Sequence, residues 1–146
     1  ATHPLKELRV SQAMTTKVIS LRAAMPLTEA LEYISMYSHP VFPVLDETGS
    51  VVGAVQEATM RQHLAKEATG TATIESITIP ITTCFPDYEL VRAAIIMGES
   101  NTHQVAVVRR EDNRRLVGWL SMSDVIEAQA KVATQGGEIG RSIIPD

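Results

Sequence analysis

The sequence has a single cysteine, Cys84, in 146 residues. One thiol forms no internal disulfide and builds no thiolate zinc site. It also fits a reducing compartment. Basic charge is not in excess: 13 Lys and Arg face 17 Asp and Glu, for a net charge of −4. Binding nucleic acid without sequence preference needs a basic footprint, so no nucleic-acid partner is expected. Long apolar runs are missing. Uninterrupted stretches such as Ala93 to Met97 fall far short of the roughly 18 residues that suggest a membrane span. No signal peptide is visible, because no apolar stretch follows the charges of Ala1 to Val10. The chain begins with Ala, which fits Met removal and equally fits a piece of something longer. Hydrophobic residues at 45% and charged residues at 21% are ordinary for a globular protein and exclude a wholly disordered chain.

What the sequence does have is an internal repeat. L-T-E-A-L-E-Y-I from Leu27 aligns with L-V-R-A-A-I-I-M from Leu90 at an offset of 63. H-P-V-F-P-V from His39 aligns with H-Q-V-A-V-V from His103 at 64, and V-V-G ending at Gly53 with L-V-G ending at Gly118 at 65. The offset grows where loops are expected, and loops tolerate insertions. Within the first copy, Val18 to Leu21 reads as a strand. Leu27 to Ser38 reads as a helix with Leu27, Leu31 and Ile34 at helical spacing. Pro26 suits its start, and Pro40 requires it to have ended. Val41 to Leu45, the turn D-E-T-G-S and Val51 to Val55 make a hairpin, and Glu57 to Lys66 a second helix. The second copy repeats this with a strand near Thr82, a helix from Tyr88 to about Ser100, strands Val105 to Arg109 and Leu116 to Leu120, and a helix from Met122 to about Ala133. The expected domains are residues 8–67 and 74–134, joined by a linker at 68–73 and followed by a flexible tail at 135–146. A unit near 60 residues is marginal alone, so the two copies are expected to pack sheet on sheet around one shared core.

The order β-α-β-β-α taken twice, F-P-V-L-D of Phe42 to Asp46, V-V-G ending at Gly53 and G-W-L-S-M-S-D of Gly118 to Asp124 resemble a tandem cystathionine-β-synthase (CBS) domain pair. The resemblance covers about Val10 to Ala133. It implies an α+β fold of two CBS repeats packed with pseudo-two-fold symmetry, a Bateman module, with ligand clefts between the copies. Clefts between subdomains are where small ligands bind by default.

The chemistry of the second-copy string can be argued from the residues. Ser121 stands at a strand-to-helix junction, where free backbone N–H groups and a partial positive charge suit phosphate. Asp124, one turn in, can accept two hydrogen bonds, as a ribose diol offers. The same spacing also reads as a capping box, Ser121 capping the helix and Asp124 reaching back. The two roles are compatible, since a capping carboxylate can be reassigned when ligand arrives. In the first copy Gln56 and Thr59 stand in place of the Ser and Asp, so one competent site is expected and not two. The resemblance implies that Ser121 and Asp124 pair with Lys17, Val18, His39, Pro40 and Val41 of the first copy. The backbone near Val18 and Val41 would read the adenine edge, His39 or Pro40 would cover its face, and Met122 and Ser123 would line the phosphates. The ligand implied is an adenine nucleotide (ATP, ADP or AMP), and no metal is expected.

Other residues carry less. His39 and His103 occupy matching positions, and packing at a strand start is favoured over a metal or pH-sensing role. Cys84 reads as a buried, inert thiol on a strand. Arg109, Arg110, Arg114 and Arg115 bracket Glu111 and Asp112 in what reads as a solvated hairpin tip; contact with triphosphate or anionic lipid is the alternative. Trp119 reads as packing. Ser121 has no adjacent base and no paired carboxylates stand at strand ends, so no enzyme is expected.

CBS pairs usually serve a larger parent, and fold alone does not name it. H-P-L-K-E-L-R-V-S-Q-A-M-T of His3 to Thr15 and Tyr37 to Asp46 resemble the cytoplasmic region of chloride channel and transporter (CLC) proteins. That implies a cytosolic regulatory module at the inner face of a membrane. The alternatives are a nucleotide sensor on another parent, such as a soluble regulator, another transporter or an enzyme like IMP dehydrogenase, or a dimerisation module without ligand. The resemblance also implies a homodimer through exposed helices, with Ile126, Ala130 and Ala133 as contact candidates.

Overall fold

The computed structural model describes residues 8–67 and 69–143, the last nine of these as helical backbone only. In chain order the elements are α1 (Val10–Ala13), β1 (Leu21–Arg22), α2 (Leu27–Ile34), β2 (Val41–Leu45), β3 (Val51–Gln56) and α3 (Glu57–Lys66). A 3-10 turn (Ile74–Ile77) then leads into β4 (Thr83–Cys84), α4 (Leu90–Glu99), β5 (Gln104–Arg109), β6 (Asp112–Ser121) and α5 (Met122–Ile143). Each copy carries one three-stranded sheet, ordered β1-β2-β3 and β4-β5-β6. The first strand of each runs parallel to the second, and β2 and β3 form an antiparallel hairpin. Pro26, in extended conformation, immediately precedes α2, and α2 buries Leu27 and Ile34 of the expected stripe together with Ala30, while Leu31 is half-buried against the same core.

The compact units are not the sequence copies. One runs through Thr16, resumes at Thr82–Arg110 and takes up the chain again from Val117; the other is Lys17–Ile81 with Glu111–Leu116. Each copy is therefore completed by the segment that precedes the other copy. In the first unit Val10, fully buried, joins Cys84, Leu90, Ala93, Met97, Val105, Val107, Leu120 and Val125 in the core. Its N–H donates to the Tyr88 carbonyl at 2.9 Å, the Ser11 N–H to Pro86 O at 2.9 Å, and the Leu90 N–H to Leu8 O at 2.8 Å. The second unit repeats the scheme. Ile74 is buried with Leu21, Leu27, Ala30, Ile34, Phe42, Val44, Val55 and Met60. Its N–H donates to Met25 O at 2.8 Å, the Glu75 N–H to Ala23 O at 2.8 Å, and the Leu27 N–H to Ala72 O at 3.0 Å.

Both exchanged segments then run as single rungs beside a hairpin strand. Thr15 pairs with Trp119, and Ile79 with Ala54. The repeated glycines make this approach possible. A Cβ on Gly118 would lie 2.5 Å from Met14 Sδ and 3.2 Å from Thr15 O, and one on Gly53 would collide with the Ile79 carbonyl. Backbone approach of this closeness is what a glycine in a strand provides.

Several expectations need correction. Each unit has a core cluster of its own, to which its exchanged segment contributes a buried anchor. The stretch Val18 to Ser20 is irregular, and the first strand starts at Leu21. The first long helix ends at Ile34, four residues before the expected Ser38. The segment 68–73 is no free linker on its C-terminal side, where Ala72 and Thr73 dock beside Leu27 and Pro26. The last helix continues through Ile143 where a tail is expected. Gly136 and Gly137 weaken a helix by about 1 kcal/mol each relative to Ala without ending it. Of the expected tail, the side chains from residue 135 onward and residues 144–146 lie outside the described residues. The charged stretch Asp112–Arg115 is strand and not loop, its charge having masked its conformation.

Candidate functional site

The strand β6 ends at Ser121 and α5 starts at Met122, so the G-W-L-S-M-S-D string spans the junction. There the capping box is formed. The Ser121 N–H donates to Asp124 Oδ2 at 2.9 Å, and the Asp124 N–H donates to Ser121 Oγ at 3.1 Å. The Met122 N–H donates to the His103 carbonyl at 2.8 Å, which ties the helix start to the chain entering β5. Ser121, Met122 and Asp124 are half-buried, and Ser123 is exposed. Reciprocal capping satisfies two of the free donors at a helix start. It leaves the carboxylate and hydroxyl partly open to solvent, in a location that favours negative charge.

The first-copy counterpart is weaker. Thr59 Oγ1 reaches Gln56 Oε1 at 3.4 Å, a neutral contact at the edge of hydrogen-bonding range. The helix start is held by the Glu57 N–H on Pro40 O at 3.0 Å. Pro40 and Val41 line a shallow cavity of about 400 Å³ with Gln56, Glu57, Ala58 and Arg61. Arg61, which the sequence reading did not single out, is held by Glu57 at 2.7 Å. Only its spacing of four from Glu57 on a helix hinted at the pair.

Lys17, Val18, His39, Pro40 and Val41 belong to the second unit, and Ser121 to Asp124 to the first. Lys17 is exposed, and Val18 is half-buried in irregular backbone. β1 pairs Leu21 and Arg22 with Val44 and Leu45, so this ladder stops short of Val41. His39 is exposed. Its ring stacks on Tyr37 with centroids 6.2 Å apart and meets the edge of Phe42 at 5.9 Å, so it packs at the strand start. His103 lends its carbonyl to Met122. Among the described residues no His, Cys, Asp and Glu cluster is arranged to hold a metal.

The arginine-rich turn is more than a solvated tip. Arg110 forks onto Asp87, with Nε 3.1 Å and Nη2 2.7 Å from its carboxylate oxygens, and lies 4.3 Å over the Phe85 ring. The Arg110 hydrogen bond holds the Asp87 carboxyl below its usual range. Arg114 approaches Asp46 at 3.8 Å. Asp46 is itself held low, chiefly by the Thr48 hydroxyl that donates to it at 2.6 Å and by the Ser50 amide. Cys84 is 2% exposed, and burial pushes its thiol up to about 11. Such a thiol is inert at neutral pH.

The sequence pattern of the CBS domain family matches residues 10–66 and 74–131. The chain belongs to the CBS domain family. Its two matches make it a tandem CBS pair, and the α+β content with two three-stranded sheets matches the fold of solved CBS pairs. The CBS domain of a bacterial CNNM/CorC family Mg²⁺ transporter, solved in complex with ATP, is similar at a TM-score of 0.76 and 21% identity, covering 84% of this chain and 87% of that one. CBSX2 in complex with AMP is similar at 0.72 and 18% identity, covering 86% and 98%. A CBS domain pair in complex with 5′-methylthioadenosine and S-adenosyl-L-methionine is similar at 0.71 and 25% identity, covering 85% and 97%. No curated protein matches the chain. Among the described residues of the pair, no helix is long and apolar enough to cross a membrane.

Proposed function

We propose that this CBS pair is an adenine-nucleotide-sensing regulatory module of a membrane transporter, placed on the cytoplasmic side. The observation that carries the ligand is the Ser121–Asp124 capping pair, present in the second copy and replaced by Gln56 and Thr59 in the first. It is supported by similar CBS domains solved with ATP, AMP and adenosyl compounds. In this reading Asp124 turns from the Ser121 amide to a ribose diol, and the freed N–H and the Ser121 hydroxyl face phosphate, with Met122 and Ser123 beside it. The backbone at Val18 and Val41 reads the adenine edge and His39 or Pro40 covers its face, with Lys17 completing the nucleotide-binding set. Binding regulates the parent only to the extent that its two states bind nucleotide unequally.

Two parents are favoured by separate observations. Similarity to CNNM/CorC CBS domains supports a cation transporter. The Tyr37–Asp46 stretch supports a CLC-type anion channel or transporter, and part of the other supporting stretch, before Leu8, lies outside the described residues. Both readings share the module and its ligand. A homodimer through the helices is part of the proposal, because Ile95 and Ile126 are exposed by 54% and 59%. Light scattering at tens of micromolar is expected to give twice the chain mass, and a strictly monomeric mass removes this part.

The test of the ligand is thermal unfolding with AMP, ADP and ATP, on the wild type and Asp124→Ala. Ligand at about 100 times its dissociation constant stabilises by about 2.7 kcal/mol. For a chain of this length that raises Tm on the order of 5–10 °C. Asp124→Ala lowers the baseline through the lost cap, by about 0.5–2 kcal/mol, and abolishes the ligand shift. No shift in the wild type leaves a dimerisation module without ligand.

A further inference from the structure

The exchanged segment Arg9–Thr15 ends on the strand that carries the capping pair. Thr15 and Trp119 exchange two backbone hydrogen bonds, at 2.8 and 2.9 Å, and Trp119 stands two residues before Ser121. Besides the Asp124 N–H on Ser121 Oγ, three fastenings hold the turn: this rung, Met122 on the His103 carbonyl at 2.8 Å, and Asp124 on the Ser121 amide at 2.9 Å. The third fastening is the one a ligand removes, since an Asp124 carboxylate that turns to a ribose diol releases the Ser121 N–H. From then on the two backbone fastenings carry more of the turn, beside the Asp124 N–H on Ser121 Oγ and the pairing of β6 with β5.

We infer that Thr15 and Gly118 are positioning residues for the Ser121–Asp124 turn, so that displacing the Arg9–Thr15 segment weakens nucleotide binding without touching a ligand-contacting group. This rests on the functional reading above and adds the route by which the segment acts on it. Gly118 is where the route is most exposed to perturbation: a methyl there meets Met14 Sδ at 2.5 Å and Thr15 O at 3.2 Å, and pushes the rung away. At its other end the segment is anchored by Val10 and its bonds to Tyr88 and Pro86, so movement there is passed to β6. The second unit has the same rung, Ile79 on Ala54 beside Gly53, but it leads to Gln56 and Thr59. The rung is a structural device in both units, and the one at Trp119 leads to a carboxylate that accepts the N–H at its helix start, where the other leads to Thr59 in that position.

The experiment uses the whole chain and four proteins: wild type, Gly118→Ala, Met14→Ala/Gly118→Ala, and Val107→Ala as a core-destabilised control in the same unit. Amide exchange by NMR without nucleotide reads the turn itself, and titration with AMP and ATP reads binding. Gly118→Ala is expected to speed exchange at Thr15, Ser121 and Asp124 together and to weaken binding about tenfold. That is the change expected when one hydrogen bond's net contribution is lost. Removing the Met14 side chain as well is expected to recover part of both. Val107→Ala, though less stable, is expected to bind like wild type. Unchanged exchange at Ser121 and Asp124 in Gly118→Ala overturns the positioning role, as does an equal affinity loss in Val107→Ala. A wild type that binds neither nucleotide overturns the functional reading instead, and the exchange data still decide the positioning.

Discussion

Replacing Ile74 by Ala tests whether the segment between the copies is a connector or part of a core. Ile74 is fully buried, touches the second-unit cluster of Leu21, Leu27 and Phe42, and has its N–H bonded to Met25 O at 2.8 Å. The substitution removes three buried carbons and leaves a cavity that neighbouring backbone hydrogen bonds keep from collapsing. Substitutions of this kind cost about 2–5 kcal/mol. With an unfolding entropy of about 2.1 cal/mol/K per residue, Tm falls by roughly 5–15 °C in the transition that includes this unit. Glu75→Ala, on the same 3-10 turn but exposed, serves as the control and is expected to stay within about 0.5 kcal/mol of wild type. Urea and thermal denaturation followed by circular dichroism measure both. If Ile74→Ala loses less than about 1 kcal/mol, the exchange of segments contributes little and the two-core description is wrong.

Stability is expected to fall at both ends of the pH range, for opposite reasons. Asp87 and Asp46 have folded pKa values held below 3.8, so their contribution is present above that unfolded value and is lost as pH falls below it and through the lower folded values. Arg110→Ala should flatten the Asp87 part of that acid limb in Tm measured against pH. Cys84 is raised from 9.0 to about 11, so the folded state holds its proton more tightly. Stability should therefore decline as pH rises between those values, and Cys84→Ala should remove the decline. Rapid thiol labelling of the native protein near pH 8 would contradict the buried thiol.

Much of the fold was legible because the repeat fixed it twice. Leu27 and Ile34 of the first helical stripe, the hairpin around Gly49 and the helix Glu57–Lys66 stand where periodicity and turn chemistry put them, with Ala30 more deeply buried than Leu31. The segment exchange was not legible. Periodicity reports which face of an element is buried and carries no signal for which copy buries it, so by sequence Val10 falls in the first copy and Ile74 in the second, the reverse of the cores they join. The aligned glycines 53 and 118 were visible as repeat markers, but the close approach that demands them needs the backbone of Ile79 and Thr15. At the candidate site, Ser121 and Asp124 were readable as a capping box from their spacing, and the structure forms it. The Arg110–Asp87 fork was hidden because its partners are 23 residues apart and the turn's mixed charge suggested only solvation.

The most direct measurement is the stoichiometry of adenine-nucleotide binding by isothermal titration calorimetry on the whole chain. The account predicts one site per chain for at least one of AMP, ADP and ATP, no measurable heat with Asp124→Ala, and an unchanged isotherm with Thr59→Ala. Two equivalent sites per chain, or binding that survives Asp124→Ala, would contradict it.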